Sequence, residues 1–144
     1  MEIKNNQLTI DIPEGHIIDA EHSDLSKGII KFKKSGITYR DIRDALNLEK
    51  DLTGVACNIN NVTKLSAIDK LINIANYYNK GWKPDWNASY TRKYFIVYSN
   101  TDTYAVDYMY NYAYSTIYFK NKEDAIAVIN NPNFKDILDA IYKE

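Results

Sequence analysis

The sequence predicts an α+β fold, made of an N-terminal β-hairpin, a central helix, a three-stranded antiparallel meander and two C-terminal helices. Short segments near the N-terminus alternate polar and apolar residues, which is typical of strands with one buried face. Apolar residues then recur every three or four positions through the middle of the chain, as in an amphipathic helix. The remaining strand patterns follow one another without an intervening helix, and this order indicates α+β rather than alternating α/β architecture.

Length and composition indicate one domain over residues 1–144, with a variable N-terminal part (1–60) and a better-marked core (61–144). The 144 residues suffice to bury a core, and 45% hydrophobic with 26% charged residues is ordinary for a soluble protein. Eighteen basic against nineteen acidic residues disfavour nucleic acid as the partner, because neutralised phosphates supply much of such affinity. One cysteine and no apolar run long enough to span a bilayer favour a cytoplasmic protein without a membrane partner.

The N-terminal hairpin is predicted from two strand patterns. Gln7–Ile12 alternates polar and apolar residues and ends at the turn signal Pro13–Gly15. Gly28–Lys33 alternates in the same way. We therefore expect these two segments to pair with each other.

A short helix and a short strand are predicted to follow. Thr38 is a candidate N-cap with Asp41 at the capping-box distance, and a short apolar stripe continues to Leu48. Leu52–Ile59 is a candidate buried strand. Within it, Cys57 is interpreted as a small buried filler rather than a nucleophile.

The central helix is predicted from about Thr63 to Asn79, with Gly81 placed to end it in a left-handed conformation. Its apolar face comprises Leu65, Ile68, Leu71, Ile72, Ala75 and Tyr78. The loop that follows sets two indoles, those of Trp82 and Trp86, four residues apart. These rings either stack against a ligand or partner, or fold under the loop and seal the end of the helix.

The meander is predicted from three strand patterns, Lys93–Tyr98, Tyr104–Tyr110 and Ser115–Lys120, which turn signals separate. Two short helices are expected after it. The first starts at the N-cap Asn121, and Asn131-Pro132 ends it and starts the second.

Tyrosines are concentrated in this meander, since nine of the thirteen fall between Tyr90 and Tyr118. A strand turns alternate side chains to one face, so rings on even positions are expected to form one wall. The five rings of this wall are Tyr104, Tyr108, Tyr110, Tyr112 and Tyr114. Two interpretations stay open: the protein's own helices cover the wall, or part of it contacts a partner.

No residue pattern specifies a reaction, so we expect no enzymatic activity, no cofactor and no metal. The sequence has no glycine-rich phosphate loop, no Gly-x-Ser-x-Gly elbow and no His-Glu-x-x-His helix. His16 and His22 lie near Asp19, Glu21 and Asp24, a set that is able to hold zinc in principle. Their spacing fixes no coordination geometry.

Six segments carry a resemblance to other proteins: Asn76–Gly81, the Trp-Lys-Pro-Asp-Trp-Asn loop, Lys93–Tyr98, Tyr118–Ala125, and near the N-terminus Ile12–Asp19 and Ile30–Lys34. Together they resemble uncharacterised small proteins encoded by phages and prophages of gut bacteria, such as the Bacteroidetes and some Firmicutes. The resemblance covers roughly two thirds of the chain. Small phage proteins without enzymatic motifs often act by binding, including as inhibitors of bacterial immunity of the anti-CRISPR kind.

The resemblance thus implies a non-enzymatic phage or prophage accessory protein that binds a host protein, such as a defence nuclease. The expected interaction surface comprises Tyr104, Tyr108, Tyr110, Tyr112, Tyr114, Trp82 and Trp86. Two alternatives remain open, namely a small-ligand protein that holds a nucleotide or sugar between aromatic rings, and a single-stranded nucleic-acid binder. An exposed edge of the meander also makes a homodimer a possible assembly.

Overall fold

The computed structural model of the protein describes residues 2–4, 7–48 and 58–143. Within these residues the chain forms four α-helices and three two-stranded antiparallel pairings, so the predicted α+β class is confirmed. The chain divides into two compact units, Met1–Ile37 and Thr38–Glu144, which are described separately. The expectation of one domain over the whole chain stays a prediction.

The first unit consists of two short antiparallel hairpins. Strand β1 (Glu2–Lys4) pairs with β2 (Gln7–Thr9), and β3 (His16–Ile18) pairs with β4 (Phe32–Lys34). A 3₁₀ turn at Leu25–Lys27 lies between β3 and β4.

The strand partners in this unit differ from the expected ones. Gln7–Ile12 was expected to pair with Gly28–Lys33, but β2 pairs with β1, and β4 pairs with β3. Alternation of polar and apolar residues marks a strand and its buried face, and it does not specify the partner. Only two residues separate β1 from β2, a length at which neighbouring strands pair locally.

Four α-helices make up much of the second unit: α1 (Tyr39–Leu46), α2 (Val62–Asn79), α3 (Lys122–Asn130) and α4 (Lys135–Tyr142). The 18-residue α2 starts one residue before the predicted Thr63 and packs against α1 and α4. The two predicted C-terminal helices are α3 and α4.

Helix α1 begins at the predicted cap. The Thr38 hydroxyl accepts a hydrogen bond from the Asp41 N–H at 3.1 Å, and the Asp41 carboxylate accepts one from the Thr38 N–H at 2.7 Å. These reciprocal bonds form a capping box, with aspartate where glutamate is usual. Of the expected strand Leu52–Ile59, the part that contains Cys57 lies outside the described residues, and Ile59 begins a 3₁₀ turn.

The sheet of the second unit contains β5 (Lys93–Tyr98) and β6 (Tyr104–Met109), which pair antiparallel along their full length. In the turn between them, the Ser99 N–H donates to the Thr103 carbonyl at 2.9 Å. The Tyr98 hydroxyl donates to the Asp102 carboxylate at 2.6 Å, and this bond raises the pKa of Tyr98 to about 12. The turn fixes the register of the two strands.

The third strand of the expected meander does not form. Residues Ser115–Lys120 contribute one bridge, in which Phe119 exchanges two backbone hydrogen bonds with Tyr94 on the edge of β5 away from β6. The Tyr118 carbonyl and the Lys120 N–H point away from β5 and bond to a side chain of α2, at 2.8 and 2.9 Å. That side chain belongs to Asn79, which therefore takes the place of a further strand.

The apolar core of the second unit lies among its helices and β5. Eight large side chains there are no more than 1% exposed, namely Ile42, Leu71, Ile74, Phe95, Phe119, Val128, Phe134 and Leu138. Burial of such side chains is the main stabilising contribution to the unit.

Candidate functional site

Tyrosines of β5 and β6 face each other across the sheet. The register pairs Tyr94 with Tyr108 and Tyr98 with Tyr104, and the ring centroids in these pairs are 6.2 and 4.9 Å apart. Because directly opposed residues share a face, all four rings lie on the same side of the sheet.

Helix α4 covers one end of this tyrosine face. The Tyr104 hydroxyl donates to the Asp139 carboxylate at 2.8 Å, and the Tyr104 ring packs edge-on against Tyr142 at 5.8 Å. Burial, together with the bond to Asp139, raises the pKa of Tyr104 well above its usual range. Tyr142 in turn donates to the Ile96 carbonyl at 3.1 Å. Tyr104 therefore serves packing between α4 and the sheet.

The other end of the face holds an exposed arginine. The Arg92 guanidinium lies over the Tyr108 ring, 4.6 Å from its centroid, and Arg92 Nε donates to the Tyr110 hydroxyl at 3.1 Å. That hydrogen bond lowers the pKa of Tyr110. The Tyr108 ring also packs edge-on against Tyr110 at 5.4 Å. We name Arg92, Tyr94, Tyr108 and Tyr110 the arginine–tyrosine cluster.

The last two rings of the expected wall, those of Tyr112 and Tyr114, lie beyond the end of β6. Tyr112 is 61% and Tyr114 70% exposed. The Tyr114 ring lies 5.6 Å from Phe95, which belongs to the opposite face of β5. Strand β6 ends at Met109, and the Tyr118 hydroxyl then accepts hydrogen bonds from the N–H groups of residues 114 and 115, both at 2.6 Å. The alternation that defines the wall ends where the strand ends.

Trp86 is half-buried and packs next to a buried lysine. Its ring contacts Tyr118 edge-on at 5.0 Å, and the Lys93 ammonium lies 5.4 Å from the indole centroid. Lys93 has no exposed surface, and its ammonium donates to the carbonyls of Ala88 and Thr91, both at 3.0 Å, and of Tyr110. Of the two interpretations of the double-tryptophan loop, Trp86 therefore fits the one in which the ring folds under the loop and packs against the protein.

Trp82 borders a cleft at the end of α2. The cleft has a volume of about 1100 Å³. Its lining comprises Ala45, Leu46, Asn76, Tyr77, Tyr78, Asn79, Lys80, Gly81, Trp82, Lys120, Asn121 and Asp124. Trp82 is half-buried, so part of its indole remains accessible.

The possible metal ligands of the first unit form an ion-pair network. Ligand atoms of Asp19, Glu21 and His22 lie within 4.8 Å of one another. His22 Nδ1 donates to Asp19 at 2.7 Å, and the Lys33 ammonium lies 3.7 Å from the other carboxylate oxygen. Burial works to raise the pKa of Asp19, but the hydrogen bond from His22 and the positive charges of His22 and Lys33 together lower that pKa. A lysine beside the carboxylate competes with any metal cation. The second histidine, His16, bonds instead to the Glu14 carbonyl at 3.0 Å.

Sequence reasoning missed Arg92 and Lys93. The signal for Lys93 was present, because it alternates with Phe95 and therefore faces the same side of β5. The signal for Arg92 was the pairing register of β5 and β6. When this register is continued by one residue beyond the strands, Arg92 lies opposite Tyr110. That register follows from the length of the turn between the strands.

Comparison of the chain with protein-family models, with curated proteins and with solved structures finds no match. Among the helices of the described residues, none has both the length and the apolar character needed to cross a bilayer.

Proposed function

We propose that this chain is a non-enzymatic accessory protein of phage or prophage type that binds a host protein through the arginine–tyrosine cluster. One observation carries the proposal: Arg92 is exposed, lies over the Tyr108 ring, and forms no ion pair with an acid in the described part of the chain.

The cluster has the composition of an interface centre. Tyrosine and arginine are enriched among the residues that dominate binding energy, because each brings a large contact area. The ring of Tyr108 and the hydroxyl of Tyr110 already hold the Arg92 side chain, so less conformational entropy is lost when a partner binds. A guanidinium has five N–H donors, of which Nε bonds to the Tyr110 hydroxyl and another interacts with the Tyr94 hydroxyl. The remaining donors suit a carboxylate on the partner.

The surface favours a protein over a nucleic acid. Single-stranded nucleic acid also stacks on tyrosine, but its affinity depends on several phosphate contacts. The cluster supplies one cation, Arg92, and the chain as a whole has a formal charge of −1.

Self-association through the free edge of β6 is disfavoured by a charged side chain. The Asp107 carboxylate accepts a hydrogen bond from the Tyr108 N–H at 2.8 Å. The backbone N–H and C=O of Tyr94 point away from β6, towards Phe119. Tyr108 lies directly opposite Tyr94, so the backbone N–H and C=O of Tyr108 point away from β5, to the outer edge of β6. An acid that occupies an edge N–H hinders pairing with another strand. We therefore place the partner on the tyrosine face.

The resemblance to phage and prophage proteins supplies the biological role in this proposal. A small protein with a preformed binding surface and no reaction of its own acts by occupying a host protein. A nuclease of antiviral defence is the partner class that this role favours.

The first experiment compares affinity capture from host lysate by the wild type, Arg92→Gln and Tyr108→Ala. We expect each substitution to reduce recovery of the main partner at least about tenfold, because truncation of a central interface residue typically costs about 2 kcal/mol or more. Leu65→Ala is the matched control, since Leu65 of α2 and Tyr108 are both 40% exposed. Circular dichroism checks that each variant is folded.

A plasmid-interference assay with a Cas nuclease tests the role. We expect the wild type to restore plasmid survival, and Tyr108→Ala to lose this effect. Equal capture by the wild type and both cluster variants, or no partner at all, would contradict the proposed surface. Salt-sensitive binding of a labelled single-stranded oligonucleotide through Arg92 would assign the surface to nucleic acid instead.

A further inference from the structure

The cleft at the end of α2 is separate from the arginine–tyrosine cluster and has a chemistry of its own. The chain turns sharply there, because Lys80 and Gly81 adopt left-handed backbone conformations with φ of 49° and 84°. The Trp82 N–H then donates to the Asn79 carbonyl at 2.9 Å. This turn sets the Trp82 side chain on the wall of the cleft.

Aromatic rings form one part of the lining. Tyr77 and Tyr78 pack edge to face, with centroids 5.4 Å apart and planes at 89°. Trp82 joins them in the same cleft. Each of the three rings is half-buried, so each presents some surface to the open space. Flat ring ligands stack on such surfaces.

Two lysines supply positive charge to the same lining. Lys80 and Lys120 both border the cleft, and neither pairs with an acid among the residues that the structure describes. The lining contains one acid, Asp124, whose carboxylate accepts a hydrogen bond from the Asn121 amide at 2.9 Å. Two cations against one acid make the cleft favourable for an anionic group.

A buried amide fixes the position of Lys120 relative to α2. Asn79 is 9% exposed, and its side chain donates to the Tyr118 carbonyl and accepts from the Lys120 N–H. The backbone of Lys120 is therefore attached to the end of α2, next to Lys80. The backbones of both lysines are therefore fixed beside the aromatic rings before any ligand arrives, and most small-molecule sites are preformed in this way.

We infer that this cleft binds a nucleotide, with its base stacked on the aromatic lining and its phosphates between Lys80 and Lys120. A base would stack on the aromatic rings of the lining, since every base has a flat π-face. A phosphate would bind to the two lysines that have no acidic partner among the described residues, because a lysine ammonium binds phosphate as a point charge. A neutral sugar would leave both ammonium groups unused. The volume of about 1100 Å³ is ample for a mononucleotide or a dinucleotide.

Tryptophan fluorescence gives a direct test, because the chain contains only Trp82 and Trp86. In the Trp86→Phe background, Trp82 is the sole indole, and its emission is followed during titration with AMP, ATP, adenosine and inorganic phosphate. We expect quenching by AMP and ATP, and at least about tenfold weaker binding of adenosine, which lacks the charged group that lysines recognise.

Two variants test the lysine assignment. We expect Lys120→Gln to weaken ATP binding at least about tenfold, since it removes one of two phosphate contacts. Lys122→Gln is the matched control, because it removes the same charge two residues away at a position outside the lining of the cleft. If Trp86→Phe does not fold, the same ligands are compared by thermal shift of the wild type, where a bound ligand raises Tm.

Several results would overturn the inference. These are absence of quenching and of a thermal shift with both nucleotides at millimolar concentration, equal weakening by Lys120→Gln and Lys122→Gln, or binding of a single-stranded oligonucleotide alone. The inference does not depend on the proposed host partner. Arg92→Gln is expected to leave nucleotide binding unchanged, so the two proposals fail or succeed separately.

Discussion

Lys93 shows how one buried charge organises the neighbourhood of the sheet. Its ammonium reaches the carbonyls of Ala88 and Thr91 before β5, and that of Tyr110 after β6. A buried ammonium is costly unless its donors are satisfied. Three carbonyls and the face of Trp86 supply that compensation here. The lysine thereby links the loop before the sheet to the segment that carries the arginine–tyrosine cluster.

We expect Lys93→Met to lower the free energy of unfolding by about 2 to 4 kcal/mol, because three carbonyls lose their donor inside the fold. Methionine keeps the length of the side chain, so the effect isolates the charge and its hydrogen bonds. Urea unfolding followed by tryptophan fluorescence measures it. Lys122→Met, at an exposed position, is the control and should change stability by less than about 0.5 kcal/mol. An unchanged midpoint for Lys93→Met would contradict this account.

At the scale of elements, helices could be predicted from the sequence more completely than strand pairing. The apolar periodicity of α2 and the capping box of α1 are local signals, and both elements form where expected. The expected third strand forms only one bridge, to Tyr94, and its other backbone contacts are distant in sequence. Asn79 bonds to the backbone at positions 39 and 41 residues further along the chain, a contact that no local window contains.

The Asp139 carboxylate links helix α4 to β6 by a hydrogen bond. Asp139 accepts hydrogen bonds from Lys135, Tyr104 and Lys143, and these bonds lower its pKa well below the usual 3.8. Lys135 and Lys143 lie one turn before and after Asp139, while Tyr104 reaches it from the sheet. The ionised form of Asp139 is therefore the one that stabilises the contact.

The stability that Asp139 contributes should depend on pH. Because its pKa is depressed in the folded state, the contribution is complete above the unfolded pKa of 3.8 and is lost as pH falls through the lower folded pKa. We expect Asp139→Asn to be less stable than the wild type at about pH 6, with a gap that narrows towards about pH 3. Urea titrations at both pH values measure this difference in the free energy of unfolding. Asp136→Asn is the control, because it removes one negative charge from the same helix. A constant gap would contradict the assignment.

The candidate site could be predicted only in part, for a reason that concerns the second unit as a whole. Alternation predicted a tyrosine face, and Tyr108 lies on it. Which rings stay accessible depends on the elements that pack over each end of that face. Helix α4 covers Tyr104, and no pattern in the sequence predicts this contact. Tyr114 leaves the face because the chain turns about the Tyr118 hydroxyl. Both contacts arise from tertiary packing.

Buried apolar side chains are distributed unequally between the two units. Every buried apolar residue in the described part of the chain lies between Ile42 and Leu138. The described side chains of the first unit include exposed apolar residues, namely Ile12, Ile17, Ile18, Leu25 and Ile29. Among the described side chains of the first unit, only that of Asp19 is buried, and it contacts His22 and Lys33. The second unit therefore carries its own core.

We therefore expect a fragment of residues 38–144 to fold without the first unit. It retains every buried apolar residue of the described part of the chain, from Ile42 to Leu138, and burial of such side chains provides most of the driving force for folding. Urea unfolding should be one cooperative transition that coincides by circular dichroism and by fluorescence, since Trp82 and Trp86 both lie in the fragment. A fragment of residues 1–37 should show no such transition. A broad, non-coincident transition for residues 38–144 would show that their core does not suffice.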